Sequence, residues 1–108
     1  MQKISILILG GYGAVGRHLS GLLLKETNVD VVIAGRHKDK ADTFAALLNR
    51  DFSGGRASAR YADASDEKSL ATAFRKVDLV ILAATSPMRV KQIARAALAA
   101  KCDYLDIL

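Results

Sequence analysis

The sequence predicts an α/β domain built on a doubly wound parallel sheet. Short apolar runs alternate with amphipathic stretches along the whole chain, a rhythm of strand and helix that implies parallel crossovers. The segment "ILILGGYGAVGRHL" (6–19) then places Gly10, Gly11, Gly13 and Gly16 where the first strand hands over to the first helix. Glycine loses more backbone freedom on folding than any other residue, so four of them at one junction need a specific reason.

Residues 4–9 are an apolar run, as expected for a strand covered on both faces. From 13 to 25, Val15, Leu19, Leu22 and Leu23 fall at helical spacing. "DVVIAG" (30–35) is the second strand. Residues 39–50 follow as a helix with Phe44, Leu47 and Leu48 on one side, ended by "FSGG" (52–55). "RASARYAD" (56–63) alternates and reads as the third strand. A short helix over 65–76 has Ser65 or Asp66 as its cap and Asp66 and Glu67 in the first turn. "VDLVILAA" (77–84) is the strongest strand. The helix over 86–101 opens with Ser86 as cap and Pro87 at the first helical position. "DYLDIL" (103–108) begins a fifth strand, and a chain that stops inside a strand points to a domain of a longer protein.

The chain has 108 residues, enough for one domain spanning 1–108 and too few for a usual two-domain enzyme. Its 51% hydrophobic and 25% charged residues are those of an ordinary globular domain. One cysteine, Cys102, excludes an internal disulfide and fits a reducing, cytoplasmic compartment. No run approaches the roughly 20 apolar residues of a membrane helix, and "MQKISILILGG" lacks the cleavage site of a signal peptide. A net charge of +5 raises the question of nucleic acid. The cations are scattered, however, and the three Tyr and three Phe do not interleave with them, so no nucleic-acid partner is expected.

Gly11-Tyr12-Gly13-Ala14-Val15-Gly16 spells G-x-G-x-x-G after a buried strand and at the start of a helix, within a βαβ unit of about 30 residues. This is the context of the dinucleotide-binding Rossmann fold. Gly11 allows the tight turn, Gly13 lets a pyrophosphate approach the backbone at the helix N-terminus, and Gly16 lets the helix pack closely. Gly10, Gly13 and Gly16 also spell G-x-x-G-x-x-G, the form found in extended short-chain dehydrogenases. A P-loop is excluded, because no Gly-Lys-Ser/Thr follows.

At the end of the second strand, an NAD site carries an Asp or Glu that binds the adenosine ribose. Here the strand ends Ala34-Gly35-Arg36-His37-Lys38, and Asp30 lies at its other end. Gly35 leaves space, Arg36 offers a planar fork for a 2′-phosphate, and Lys38 could add charge. A solvated basic loop is the alternative. NADP is therefore the expected cofactor, ahead of NAD. The third strand ends at Asp63-Ala64, where Asp63 either meets the adenine edge or caps the next helix. The fourth ends at Ala83-Ala84-Thr85, small residues past which a cofactor fits; Thr85 is either a cofactor ligand or a helix cap.

Other candidates carry less. His18 falls on the polar side of the first helix, His37 belongs to the Arg36 loop, and Cys102 reads as a small buried residue. No His/Cys/Asp cluster has metal-ligand spacing. Tyr12, Tyr61 and Tyr104 have no Lys four residues on, so the Tyr-x-x-x-Lys pair of short-chain dehydrogenases is absent from this stretch.

"ILGGYGAVGRHLSGLL", "VVIAGRHKDKADTFAALL", "ARYADASD", "VDLVILAA" and "CDYLDIL" together resemble the N-terminal NADP-binding domain of the saccharopine dehydrogenase family across essentially the whole chain. The resemblance implies an NADP-linked oxidoreductase that transfers hydride at a C–N bond of an amino acid or imine. It also implies a catalytic and dimerisation domain beyond residue 108, through which a homodimer would form, and a fragment inactive without it. On the same resemblance Gly11, Gly13, Gly16, Arg36 and Asp63 map to cofactor binding, and Tyr104 and Asp106 fall on the segment leading to the active site. Two alternatives stay open: an extended short-chain reductase or epimerase, and a non-catalytic nucleotide-sensing module. A sensor usually keeps the acid after the second strand, which Gly35-Arg36 replaces.

Overall fold

In the computed structural model, which describes residues 3–83 and 89–107, five parallel strands form one sheet in the order β3-β2-β1-β4-β5. The elements run β1 (Ser5–Leu9), α1 (Ala14–Glu26), β2 (Asp30–Gly35), α2 (Lys38–Asp51), β3 (Ala57–Tyr61), α3 (Glu67–Ala73), β4 (Leu79–Leu82), α4 (Val90–Ala99) and β5 (Asp103–Asp106). The chain first steps outward from β1 to β3, then returns to β4 on the other side of β1. That reversal leaves a crevice between β1 and β4 at the carboxyl ends of the strands.

Side chains alternate across a strand, so each apolar strand feeds two cores. Leu7, Leu9, Val32 and Ala34 meet Leu70, Phe74, Ile93 and Ala97 of the α3 and α4 side. Ile6, Ile8, Val31 and Ile33 meet Leu24 of α1 and Ala41, Phe44, Ala45 and Leu48 of α2. In register, Ile8 lies beside Ile33 on one flank and Ile81 on the other. Burial on both faces explains why the central strands read as apolar runs. This is the doubly wound sheet expected from the sequence.

Three differences are informative. First, β3 and β4 are shorter than the apolar reading at 56–63 and 77–84. Past Tyr61 and Leu82 the chain leaves the ladder, although Ala62 N still donates to Gly35 O (3.0 Å) and Ala83 N to Leu9 O (2.9 Å). Second, α3 is shorter than 65–76. Asp66 is its cap, accepting from Lys68 N and Ser69 N, and the chain turns out of it where Lys76 takes φ 58°. Third, α1 buries only part of the stripe expected of it: Leu19 and Leu23 pack half-buried against the core. Val15 and Leu22 are 51% and 45% exposed, and the buried residues are Gly16, Ser20 and Leu24. The helix lies so close to the rest of the fold that small residues are required there. Ser20 satisfies its own hydroxyl by donating to Gly16 O (2.6 Å). The expected start of α4 at Ser86 and Pro87 lies outside the described residues.

Candidate functional site

The loop from β1 to α1 is built from backbone hydrogen bonds. Gly10 carries the left-handed conformation at φ 84°, its N–H donates to Ala34 O (2.8 Å), and its carbonyl accepts from Gly13 N (3.0 Å). The turn expected at Gly11 is thus made at Gly10. Gly11 is glycine for a different reason: a Cβ there would stand 2.9 Å from Ile8 O and 3.1 Å from the Ile33 side chain. Gly16 allows close packing of the helix, as expected, but against the loop rather than the strand. A Cβ would lie 2.5 Å from Gly10 O and 2.6 Å from Gly11 Cα, so helix and loop touch backbone to backbone. Arg17 braces the loop from behind, its Nε donating to Tyr12 O (2.8 Å) while its guanidinium stacks over Phe44 at 4.8 Å.

Gly13 is the cap of α1 and supplies no side chain to the helix start, and no acid stands in the first turn. The first N–H groups of a helix have no intrahelical partner and carry the positive end of its dipole. At α1 they open on a cleft of about 570 Å³, within the range of small-molecule sites. Tyr12, Gly13, Ala14 and Val15 line it from the loop and first turn of α1. Gly35 and Arg36 line it from the end of β2, Asp63 and Ala64 from beyond β3, and Ala83 from the end of β4. Gly11 and Gly16 are buried behind the loop and shape it without lining the cleft. Ala84 and Thr85 lie outside the described residues.

The sequence reading had no signal for Ser65, Arg89 or Ile93, which also line this cleft. Arg89 and Ile93 come from the start of α4, which the topology folds over the crevice. Asp63 is not the helix cap, which is Asp66, and one of its two carboxylate oxygens is engaged locally. Its carboxylate accepts from Ser65 N (2.9 Å) and Ser65 Oγ (2.7 Å), and these bonds, helped by Arg36 and Arg89, hold its pKa below the ordinary value. Arg36 is exposed at the cleft and has no ion-pair partner among the described residues. Lys38 turns away: its ammonium pairs with Asp42 one turn along α2, at 2.7 Å. The space at Gly35 is already filled, because a Cβ there would fall 2.5 Å from the Tyr12 ring.

His18 is exposed and Cys102 is buried, as read from the sequence. The Cys102 thiol donates to Val77 O (3.0 Å), and its pKa is raised by burial, with Asp78 and Asp103 adding to the effect. Tyr104 packs on the α4 side with its hydroxyl buried, and burial likewise raises its pKa. Neither residue lines the cleft.

A glycine loop, a bare helix N-terminus and a cleft across a β1/β4 switch point define a dinucleotide-binding Rossmann domain. Residues 6–108 match the family described as the saccharopine dehydrogenase NADP binding domain, and the chain belongs to that family. No curated protein matches the chain in sequence. Among solved structures it is similar to saccharopine dehydrogenase (L-Glu forming) from Saccharomyces cerevisiae, at 20% identity and TM-score 0.79, over 95% of this chain and 21% of that one. It is also similar to a wide-type short-chain dehydrogenase/reductase from Veillonella parvula in complex with NADP, at 18% identity and TM-score 0.77, over 97% of this chain and 47% of that one. An NADPH-dependent quinone oxidoreductase from Escherichia coli shares 28% identity at TM-score 0.70, over 93% of this chain and 33% of that one. The chain therefore spans between a fifth and a half of the length of these structures.

Proposed function

We propose that this chain is the cofactor-binding part of an NADP-dependent oxidoreductase of saccharopine dehydrogenase type. The observation that carries it is the end of β2, where a guanidinium stands at the cleft in place of the carboxylate that reads a ribose diol. The residues suit the cofactor: Gly13 keeps the cleft free of a side chain that would meet only Gly10 O at 3.3 Å, and α1 offers uncapped N–H groups to a pyrophosphate. Tyr12, Gly13, Ala14 and Val15 would hold the pyrophosphate end, with Gly11 and Gly16 shaping their loop. Arg36 would hold the 2′-phosphate, and Asp63 and Ala64 would border the adenine. Ala83, with Ala84 and Thr85, would border the cofactor at the switch point.

The nicotinamide would supply hydride exchange with a small-molecule substrate, an amino acid or imine at its C–N bond. Further chain would complete the substrate side and a homodimer interface, consistent with this domain spanning a fifth of the yeast enzyme. On this reading the 108-residue chain binds NADP(H) and turns nothing over, in a reducing cytoplasmic setting that suits its single cysteine. Among the described residues no helix is long and apolar enough to cross a membrane. A second reading, an NADPH-dependent reductase of short-chain type, draws on the 28% identity with the quinone oxidoreductase.

The test is a titration of NADPH and NADH against wild type and Arg36→Ala at two ionic strengths. Losing a charge-assisted bond of about 1.5–3 kcal/mol should weaken NADPH roughly ten- to more than hundredfold. NADH should change little, and the loss should shrink in high salt because the anion is partly exposed. A wild type that prefers NADH would overturn the reading and favour the nucleotide sensor.

A further inference from the structure

Tyr12 and the end of β2 pack together at one corner of the cleft. Gly35 serves as a seat: an added Cβ would stand 2.5 Å from both Cε1 and the hydroxyl oxygen of Tyr12 and 2.7 Å from Cζ. The ring therefore lies directly on the strand end. Its oxygen accepts a hydrogen bond from His37 N (3.1 Å), the amide just ahead of α2, and the His37 ring stands edge-on at 6.5 Å. A phenol that accepts through its oxygen still has a proton to give. Among the described residues that proton has no acceptor, and both Tyr12 and Arg36 line the cleft.

We propose that Tyr12 is a specificity-determining residue whose hydroxyl donates to the 2′-phosphate of the cofactor beside the Arg36 guanidinium. The proposal rests on the NADP reading above and adds to it a group that the charge pattern does not reveal. The donor balance at this corner carries it. The vicinal diol of an unphosphorylated ribose needs an acceptor, which is why a carboxylate suits it. Here the end of β2 presents a phenol proton and a guanidinium and no carboxylate; among the described residues the carboxylate lining the cleft is Asp63, which follows β3 and accepts from Ser65 through Oδ1. Donors with no carboxylate beside them at the end of β2 match a phosphomonoester, which at neutral pH is chiefly an acceptor. The hydrogen bond from His37 N occupies one lone pair of the phenol oxygen and leaves its proton for a ligand.

The experiment is calorimetric titration of NADP+ and NAD+ against wild type, Tyr12→Phe, Gly35→Ala and Arg36→Ala. Tyr12→Phe keeps the ring on its seat and removes only the proton and its acceptor oxygen. It should weaken NADP+ about tenfold or more and leave NAD+ within about twofold. Gly35→Ala, which pushes the ring off the strand end, should show the same selective loss by a different route. Equal weakening of both cofactors in Tyr12→Phe would make Tyr12 a packing residue and overturn the proposal. An NADP+ preference undiminished in Tyr12→Phe but lost in Arg36→Ala would also overturn it, while leaving the cofactor reading intact. A wild type without preference for NADP+ would overturn both.

Discussion

Gly13 and Gly16 belong to one motif, yet the structure gives them separable tasks, and two alanine substitutions should pull them apart. At Gly13 the backbone is extended (φ −77°, ψ 175°), open to any L-residue, and a methyl would meet only Gly10 O at 3.3 Å. That contact asks its neighbour to yield by a few tenths of an ångström. Stiffening the unfolded chain returns about 0.4–1 kcal/mol, so Gly13→Ala should fold with stability within about 1 kcal/mol of wild type. At Gly16 a methyl would stand 2.5 Å from Gly10 O, 2.6 Å from Gly11 Cα and 2.8 Å from Gly11 C. All three are backbone atoms, with no flexible side-chain end to give way. Overpacking of that kind belongs near the upper end of the usual 1–3 kcal/mol, about 3 kcal/mol. The better helix propensity of alanine offsets about 1 kcal/mol. A net loss of about 2 kcal/mol corresponds to a Tm lower by roughly 8–16 °C for a domain of this size.

Binding should follow the opposite order. The Gly13 methyl lies at the cleft and should cost at least about tenfold in NADP+ affinity. Thermal melts by circular dichroism, with calorimetric titration below the lower Tm, measure both quantities on both variants. A Gly16→Ala protein as stable as wild type would refute the backbone contact between helix and loop. A Gly13→Ala protein of undiminished affinity would remove the loop from the site.

Arg56 offers a stability test away from the cleft. Its guanidinium donates to Thr27 O (3.0 Å), Val29 O (3.1 Å) and Leu24 O (2.6 Å), tying the end of α1 to the start of β2. Arg56→Ala should lose about 2 kcal/mol by urea unfolding with NADP+ affinity unchanged, since it stands at the amino ends of the strands. Asp63 gives a pH signature. Its folded pKa is lowered, so the turn it makes with Ser65 contributes stability above the ordinary carboxylate range and loses it as pH falls through the folded value. The urea-midpoint difference between wild type and Asp63→Asn should be constant above about pH 5 and shrink on acidification. A difference independent of pH would refute that role.

The legibility of this fold follows from how local its determinants are. β1 and β2 lie between two layers of helix, so their burial is written as apolar runs, and β2 runs over Asp30–Gly35 as read. Tyr12, Gly13, Ala14, Val15, Arg36, Asp63, Ala64 and Ala83 all line one cleft, because a parallel sheet brings every strand's carboxyl end to the same edge. What escaped the sequence depends on tertiary distance. Leu22 is apolar at helical spacing yet exposed, because the line of α1 closest to the fold runs through Gly16, which meets backbone, Ser20 and Leu24, with Leu19 and Leu23 half-buried beside it. Hydrophobicity cannot mark a contact whose requirement is smallness. Arg89 reaches the site only through the crossover of α4, and nothing in its neighbours along the chain announces it.

Gly35 shows the same limit in a form that matters for function. Read alone, a glycine after β2 signifies room for a phosphate. In the folded chain the room belongs to the Tyr12 ring, and on the proposal above the surface offered to a phosphate is that ring's hydroxyl edge together with Arg36. The two positions come from different loops and share one volume, so neither can be interpreted without the other. A larger residue at 35 is compatible with the backbone of β2 only if the side chain at 12 is smaller or turned away. A smaller residue at 12 opens the strand end to a carboxylate or to solvent. On the proposal above, cofactor preference at this corner would therefore be a property of the pair, with the charge of Arg36 acting on a surface whose shape the pair has already set.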